Sequence, residues 1–182
     1  MTEVGQKHRG NPEEVAADLG KISVTAREAV RAMDAIVWAV NPRNDSLDHF
    51  ANYVSQFAEE FLRPTTIRCR LDIPADLPEH PITTEARHHL FLAVKEALNN
   101  VVRHSGASEV WLRLSMTNGE LNLSIEDNGC GIQASTGVEH DGLGNIRRRI
   151  EQLGGRFELK SSGEGTTIAL RWPLPSGKGG AS

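Results

Sequence analysis

Apolar and polar positions alternate along this chain in two rhythms. From residue 12 to residue 40 the rhythm is helical. Val15, Leu19, Ile22, Ala26, Ala29, Met33, Ile36 and Val40 recur at steps of 4 and 3. That is a heptad seam, and it predicts one long helix that packs in a bundle or coiled coil. Gly20 inside it weakens the helix by roughly 1 kcal/mol relative to Ala. A single helix cannot bury its own seam. The partner is the rest of the chain, a second copy, or sequence not included here. Asn41-Pro42 ends the helix. Asp45 or Ser46 caps a second helix that runs to about Leu62, before Arg63-Pro64.

From about residue 65 the rhythm changes to period two. Ile67, Cys69, Leu71 and Ile73 alternate with polar residues, as do Val110, Leu112, Leu114 and Met116. Asn118-Gly119 then signals a hairpin, and the returning strand places Leu121, Leu123 and Ile125 on one face. Phe157 and Leu159 pair with Ile168, Leu170 and Trp172 across Ser162-Gly163-Glu164-Gly165. Two helices are interleaved, over about 83–104 and 143–153. The second turns Leu143, Ile146, Ile150 and Leu153 inward and stops at Gly154-Gly155. Hairpins on one side and helices on the other predict an α+β fold, a two-layer α/β sandwich preceded by the long heptad helix. The tail, 175–182, reads as disordered.

Composition narrows the function. The chain has 182 residues, 38% hydrophobic and 24% charged, so a packed core is feasible. A net charge of −4 gives no basic footprint for nucleic acid. No apolar run reaches membrane-span length and no signal peptide opens the chain. The expectation is a cytoplasmic piece, whether or not the full-length protein is anchored to a membrane. Cys69 and Cys130 are the only cysteines, which fits a reducing compartment.

The stretch "LAVKEALNNVVRHS", residues 92–105, carries the first candidate chemistry. Leu90, Val94, Ala97, Leu98 and Val101 form the core stripe of the helix. Glu96, Asn100, Arg103 and His104 fall at i, i+4, i+7 and i+8 on the opposite face. Asn is a poor helix former, so two in succession call for a reason beyond solvation. Asn99 is rotated about 100° from Asn100 and lies at the helix edge.

In "LNLSIEDNGCGI" period two puts Asp127 on the inward face with Leu121, Leu123 and Ile125. A carboxylate aimed inward needs a donor. Lys and Arg are absent from residues 114–146, and a ligand amino group such as that of adenine fits. Gly129 and Gly131 allow a sharp turn and close approach to a flat ring. A plain turn over Asp127-Asn128-Gly129 is the other reading. Next, "QASTGVEHDGLGNIRRR" leads into a helix near Gly142-Leu143-Gly144, whose free N–H groups make an anion site. Thr166 and Thr167 open the last strand, where a hydroxyl can meet a ring nitrogen or water. A nucleotide with its base on Asp127 and its phosphates near the 143 helix needs magnesium. Asn100 supplies a neutral oxygen ligand, Glu96 orients water or accepts a proton, and Arg103 meets a phosphate.

These segments resemble the four motifs of the GHKL ATP-binding family. "KEALNNVVRH" looks like its N box, "DNGCG" its first glycine box, "DGLGNIRRRIEQLGG" its second glycine region, and "GEGTT" its last motif. The nearest resemblance is to the catalytic domain of bacterial two-component sensor histidine kinases of the nitrate/nitrite-sensor class. "AMDAIVWAVNPRNDSLDHFANYVSQFAEEFL" is similar to the second dimerisation helix and connection of that class. The resemblance implies the Bergerat sandwich, ATP and magnesium as cofactors, a homodimeric full-length kinase and a response regulator as partner. It implies residues 1–40 as part of a dimerisation region, 41–64 as a connecting helix and 65–174 as the ATP-binding domain. By the same resemblance Glu96 and Asn100 are catalytic and Asn100 binds magnesium. Arg103, His104, Asp127, Gly129, Gly131, Gly142, Leu143 and Thr166 then surround ATP.

Two departures stand out. His140 occupies the first glycine position of the second glycine box. The phosphoacceptor histidine expected on a first dimerisation helix has no counterpart, because His8 lacks a following acid and lies beside Gly10 and Pro12. The expectation is a kinase core that binds Mg-ATP and transfers its γ-phosphoryl group to a histidine outside this chain. The alternatives are a switch-type serine/threonine kinase of the same superfamily, of the anti-sigma kind, and a non-catalytic nucleotide-binding interaction module.

Overall fold

The structure is a computed structural model that describes residues 45–78, 80–132 and 141–174, with Asp18 and Trp38. The chain divides into two compact units, Met1–Val40 and Asn41–Ser182. In the first, Asp18 and Trp38 are helical. The heptad seam itself lies outside the described residues, as do His8, His140 and the tail.

The second unit runs α1 (Leu47–Leu62), β1 (Arg68–Asp72), α2 (Thr84–Asn100), a π-helical turn (Val101–Ser105), β2 (Glu109–Thr117), β3 (Glu120–Asp127), α3 (Asp141–Gln152), β4 (Arg156–Ser162) and β5 (Gly165–Pro173). The five strands form one sheet in the order β1-β2-β3-β5-β4. β1 runs parallel to β2, and the other pairs are antiparallel. Val110, Leu112, Leu114, Leu121, Leu123, Ile125, Ile168, Leu170 and Trp172 are buried, so the helices cover one face of the sheet. This is the two-layer α+β sandwich that the period-two pattern predicts.

Local chemistry explains the element ends. Asn118 and Gly119 both have positive φ, 54° and 76°, as a two-residue type I′ hairpin requires. Ser46, not Asp45, caps α1: its Oγ accepts from the His49 N–H at 3.2 Å. Thr83 caps α2 by accepting from the Ala86 N–H at 3.1 Å. Gly154, at φ 74°, ends α3.

The edge strands depart from the expected pattern. Leu71 in β1 and Leu159 in β4 are each 37% exposed, because an outermost strand has a neighbour on one side only. α2 departs in the other direction. Besides its predicted stripe it buries Arg87 and Phe91 on the side facing α1. Phe91 meets the rings of Tyr53 and Phe57 at 5.2 and 4.9 Å between centroids. Leu47, Phe50, Ala51, Val54, Ala58 and Leu62 of α1 are buried as well. α1 is therefore packed within the second unit.

Candidate functional site

A cleft of about 340 Å³ opens where the end of α2 meets the sheet and the start of α3. Its walls are apolar: Ala97, Val101, Ile125, Ile132, Leu143 and Ile168. Asn100, His104, Ser105, Asp127, Cys130 and Thr166 supply the polar groups. An apolar cavity of this size with a few convergent polar groups is the usual form of a small-molecule site.

Asp127 ends β3 on the inward face and is 7% exposed. Burial pushes its carboxyl pKa up, while the Gly129 and Thr166 backbone N–H groups pull it down and the Glu126 charge adds to the rise. The Gly129 N–H donates to Asp127 Oδ1 at 2.9 Å. The donor demanded by an inward carboxylate is thus met in part by the protein's own backbone. Thr166 stands across from Asp127 in the β3–β5 register. Its Oγ1 is 3.3 Å from Ser161 Oγ, which also accepts from the Ile132 N–H at 2.7 Å.

Of the polar face expected on α2, Asn100 and His104 reach the cleft. Arg103 does not: it is exposed and lies outside the lining. The reason is local. The α-helix ends at Asn100, and Val101–Ser105 is a π-helical turn, so the 100° step behind the i+7 and i+8 spacing stops there. Ser105 Oγ closes this turn, donating to the Val101 carbonyl at 2.7 Å and accepting from the Ala107 N–H at 3.0 Å. Glu96 is not in the lining either. Its carboxylate sits against Gly142 at the start of α3.

The glycines also differ from expectation. A Cβ at Gly129 would collide with the Ser105 carbonyl, and one at Gly131, at φ 70°, with the Ser162 carbonyl. Both are glycine because the protein's own backbones pass too closely for a side chain. Gly131 still borders the cleft, whereas Gly129 and Gly142 do not. α3, Asp141–Gln152, includes the start expected near Gly142-Leu143-Gly144. Leu143, expected both on the inward face of its helix and beside ATP, is half-buried and forms part of the cleft wall.

Sequence reasoning missed several residues. Asn128 stitches β3 to the start of β2: its Oδ1 accepts from the Ser108 and Glu109 N–H groups at 3.0 and 2.9 Å, and its Nδ2 donates to Ser108 Oγ at 2.9 Å. The alternative reading of Asp127-Asn128-Gly129 as a turn contained the signal for this role, since Asn side chains bond local backbone. Ser105, Ser161 and Cys130 carry no such signal.

A buried carboxylate in an apolar cleft, beside the helix end that carries Asn100, has the form of a small-molecule site. Residues 85–176 match the family described as histidine kinase-, DNA gyrase B- and HSP90-like ATPases, and the chain belongs to that family. The sensor histidine kinase LiaS of Bacillus subtilis (strain 168) is 32% identical over 157 residues, covering 85% of this chain and 42% of LiaS. The sensor histidine kinase YhcY of the same strain is 36% identical over 103 residues, covering 55% of this chain and 27% of YhcY. The ATP-binding domain of PrrB from Mycobacterium tuberculosis superposes with a TM-score of 0.56 at 25% identity, covering 69% of this chain and 94% of that domain. The chain spans less than half the length of these curated relatives. Among the described residues, no helix is long and apolar enough to cross a membrane.

Proposed function

We propose that this chain is the ATP-binding catalytic core of a two-component sensor histidine kinase, which transfers the γ-phosphoryl group of Mg-ATP to a histidine. The observation that carries the reading is Asp127, buried at the floor of an apolar cleft with Thr166 opposite and Asn100 on the wall. A carboxylate accepts from the adenine amino group, which guanine lacks at that ring position. The Thr166 hydroxyl meets the neighbouring ring edge. Asn100 and His104 stand on the α2 side, toward the phosphates. Arg103 contributes charge from outside the cleft.

Magnesium fits this donor set. Asn100 offers a hard, neutral oxygen to an ion that keeps several waters and takes its other ligands from phosphates. When bound, the ion neutralises phosphate charge. Glu96 accepts the proton released by the attacking group, and the apolar walls exclude water. The longer protein is a cytoplasmic-facing homodimer, its second dimerisation helix contained in residues 12–40, and it passes the phosphoryl group to a response regulator. The sensor histidine kinases among the relatives support this over a switch-type serine/threonine kinase.

Titration calorimetry with a non-hydrolysable ATP analogue tests the reading. Wild type binds, and more tightly with magnesium. Asp127→Ala loses binding at least about 10-fold, or about 1.4 kcal/mol. Asn100→Ala loses the magnesium-dependent part. A folded wild type that binds no nucleotide overturns the proposal.

A further inference from the structure

We infer that Gly142 is the positioning residue that seats the Glu96 carboxylate. This deepens the proposed function and rests on it, because there Glu96 is the proton acceptor.

The geometry is specific to this pair. A Cβ built on Gly142 would collide with Glu96 Oε1 and would lie 3.1 Å from its Cδ and 3.4 Å from its Cγ. All three nearest atoms belong to Glu96, and no backbone is among them. Gly129 and Gly131 are different, because there the obstacles include carbonyls of the main chain. Gly144, one residue beyond Leu143 on the same helix, meets nothing within 4 Å. The missing side chain at 142 therefore makes room for one functional group. The carboxylate fills that room at the N-terminal turn of α3, where the positive end of the helix dipole favours an anion. Gly142 is also absent from the cleft lining, so its contact with Glu96 is its distinguishing feature.

A substitution at 142 displaces Glu96 and leaves the backbone in place. Ala is the better helix former, so Gly→Ala in open space raises stability. Four chains test the inference: wild type, Gly142→Ala, Glu96→Ala and the double variant. With Glu96 present, Gly142→Ala leaves the melting temperature unchanged or lowers it. In the Glu96→Ala background the same exchange raises it by a few degrees. Equal shifts in both backgrounds overturn the inference.

Function is read by titration with a non-hydrolysable Mg-ATP analogue and by single-turnover transfer of the γ-phosphoryl group from Mg-ATP to a histidine-bearing acceptor helix supplied in trans. Gly142→Ala keeps the nucleotide dissociation constant within about 3-fold. It lowers the turnover rate as far as Glu96→Ala does, and the double variant is no slower than Glu96→Ala. A loss of nucleotide affinity that persists in the Glu96→Ala background makes Gly142 a phosphate contact and overturns the inference. Full turnover by Glu96→Ala removes Glu96 from the proposed mechanism, and the melting cycle still decides the seating.

Discussion

Arg87 is fully buried on α2, and its guanidinium donates to the carboxylate of Asp45, 42 residues earlier in the chain. Asp45 remains 41% exposed, so the pair is buried on one side only. Around it the Leu47 N–H donates to the His80 carbonyl at 2.9 Å, and the Ile82 N–H to the Asp45 carbonyl at 3.2 Å. The segment entering α1 is thus tied to the segment entering α2.

Asp45→Ala removes one charged acceptor from the Arg87 guanidinium and destabilises the unit by about 1–3 kcal/mol. Chemical denaturation of the variant checks the size. An unchanged midpoint contradicts it.

Asp127 links stability to pH. Burial raises its pKa, so above the ordinary carboxylate value the folded chain keeps a proton that the unfolded chain has released. The unfolded state binds fewer protons in that window, and stability falls as pH rises through it. Asp127→Asn removes this decline. Its melting temperature relative to wild type rises from about pH 4 upward and levels off once the wild-type group has ionised in the folded state. A flat difference between the two proteins from about pH 4 to about pH 8 refutes the assignment.

The two thiols separate by environment. Burial, with the Glu59 charge adding to it, pushes the Cys69 thiol up to about 11. Cys130 is exposed and borders the cleft. Iodoacetamide at about pH 8 modifies Cys130 and leaves Cys69 intact, because the thiolate is the reactive form. Saturating nucleotide slows the reaction at Cys130. Mass spectrometry of the labelled peptides reads both outcomes.

Asn128 is exposed yet makes three side-chain hydrogen bonds to Ser108 and Glu109. Asn128→Ala costs about 1–3 kcal/mol, since two backbone donors lose their acceptor. Thermal unfolding shows it as a drop of several degrees for a unit of this size. An unchanged melting temperature would mean that water replaces the side chain without loss.

Periodicity made much of the fold legible. The core faces of β2, β3, β5 and α2 followed from spacing, because a strand or helix that buries one face must repeat its apolar residues at 2 or 3.6. Asn118-Gly119 and the cap at Asp45 or Ser46 were equally local. Asp127 could be placed on the inward face for the same reason, and Asn100 on the polar one. All of these depend on neighbours a few residues away.

What tertiary structure decided involves distant partners. Period two gives each strand's face but not its neighbour, so the parallel pairing of β1 with β2 was not legible. Nor was the thin cover over Leu71 and Leu159, which follows from edge position. Arg87 interrupts an apolar face, and one of its partners, Asp45, arrives from 42 residues earlier in the chain. The π-helical turn moved Arg103 out of the cleft, because it breaks the period from which that face was drawn. Gly129, Gly131 and Gly142 could be read as glycines beside a ligand. The fold supplies their actual neighbours, Ser105, Ser162 and Glu96, because close approach between segments far apart in sequence exists only once the chain is packed.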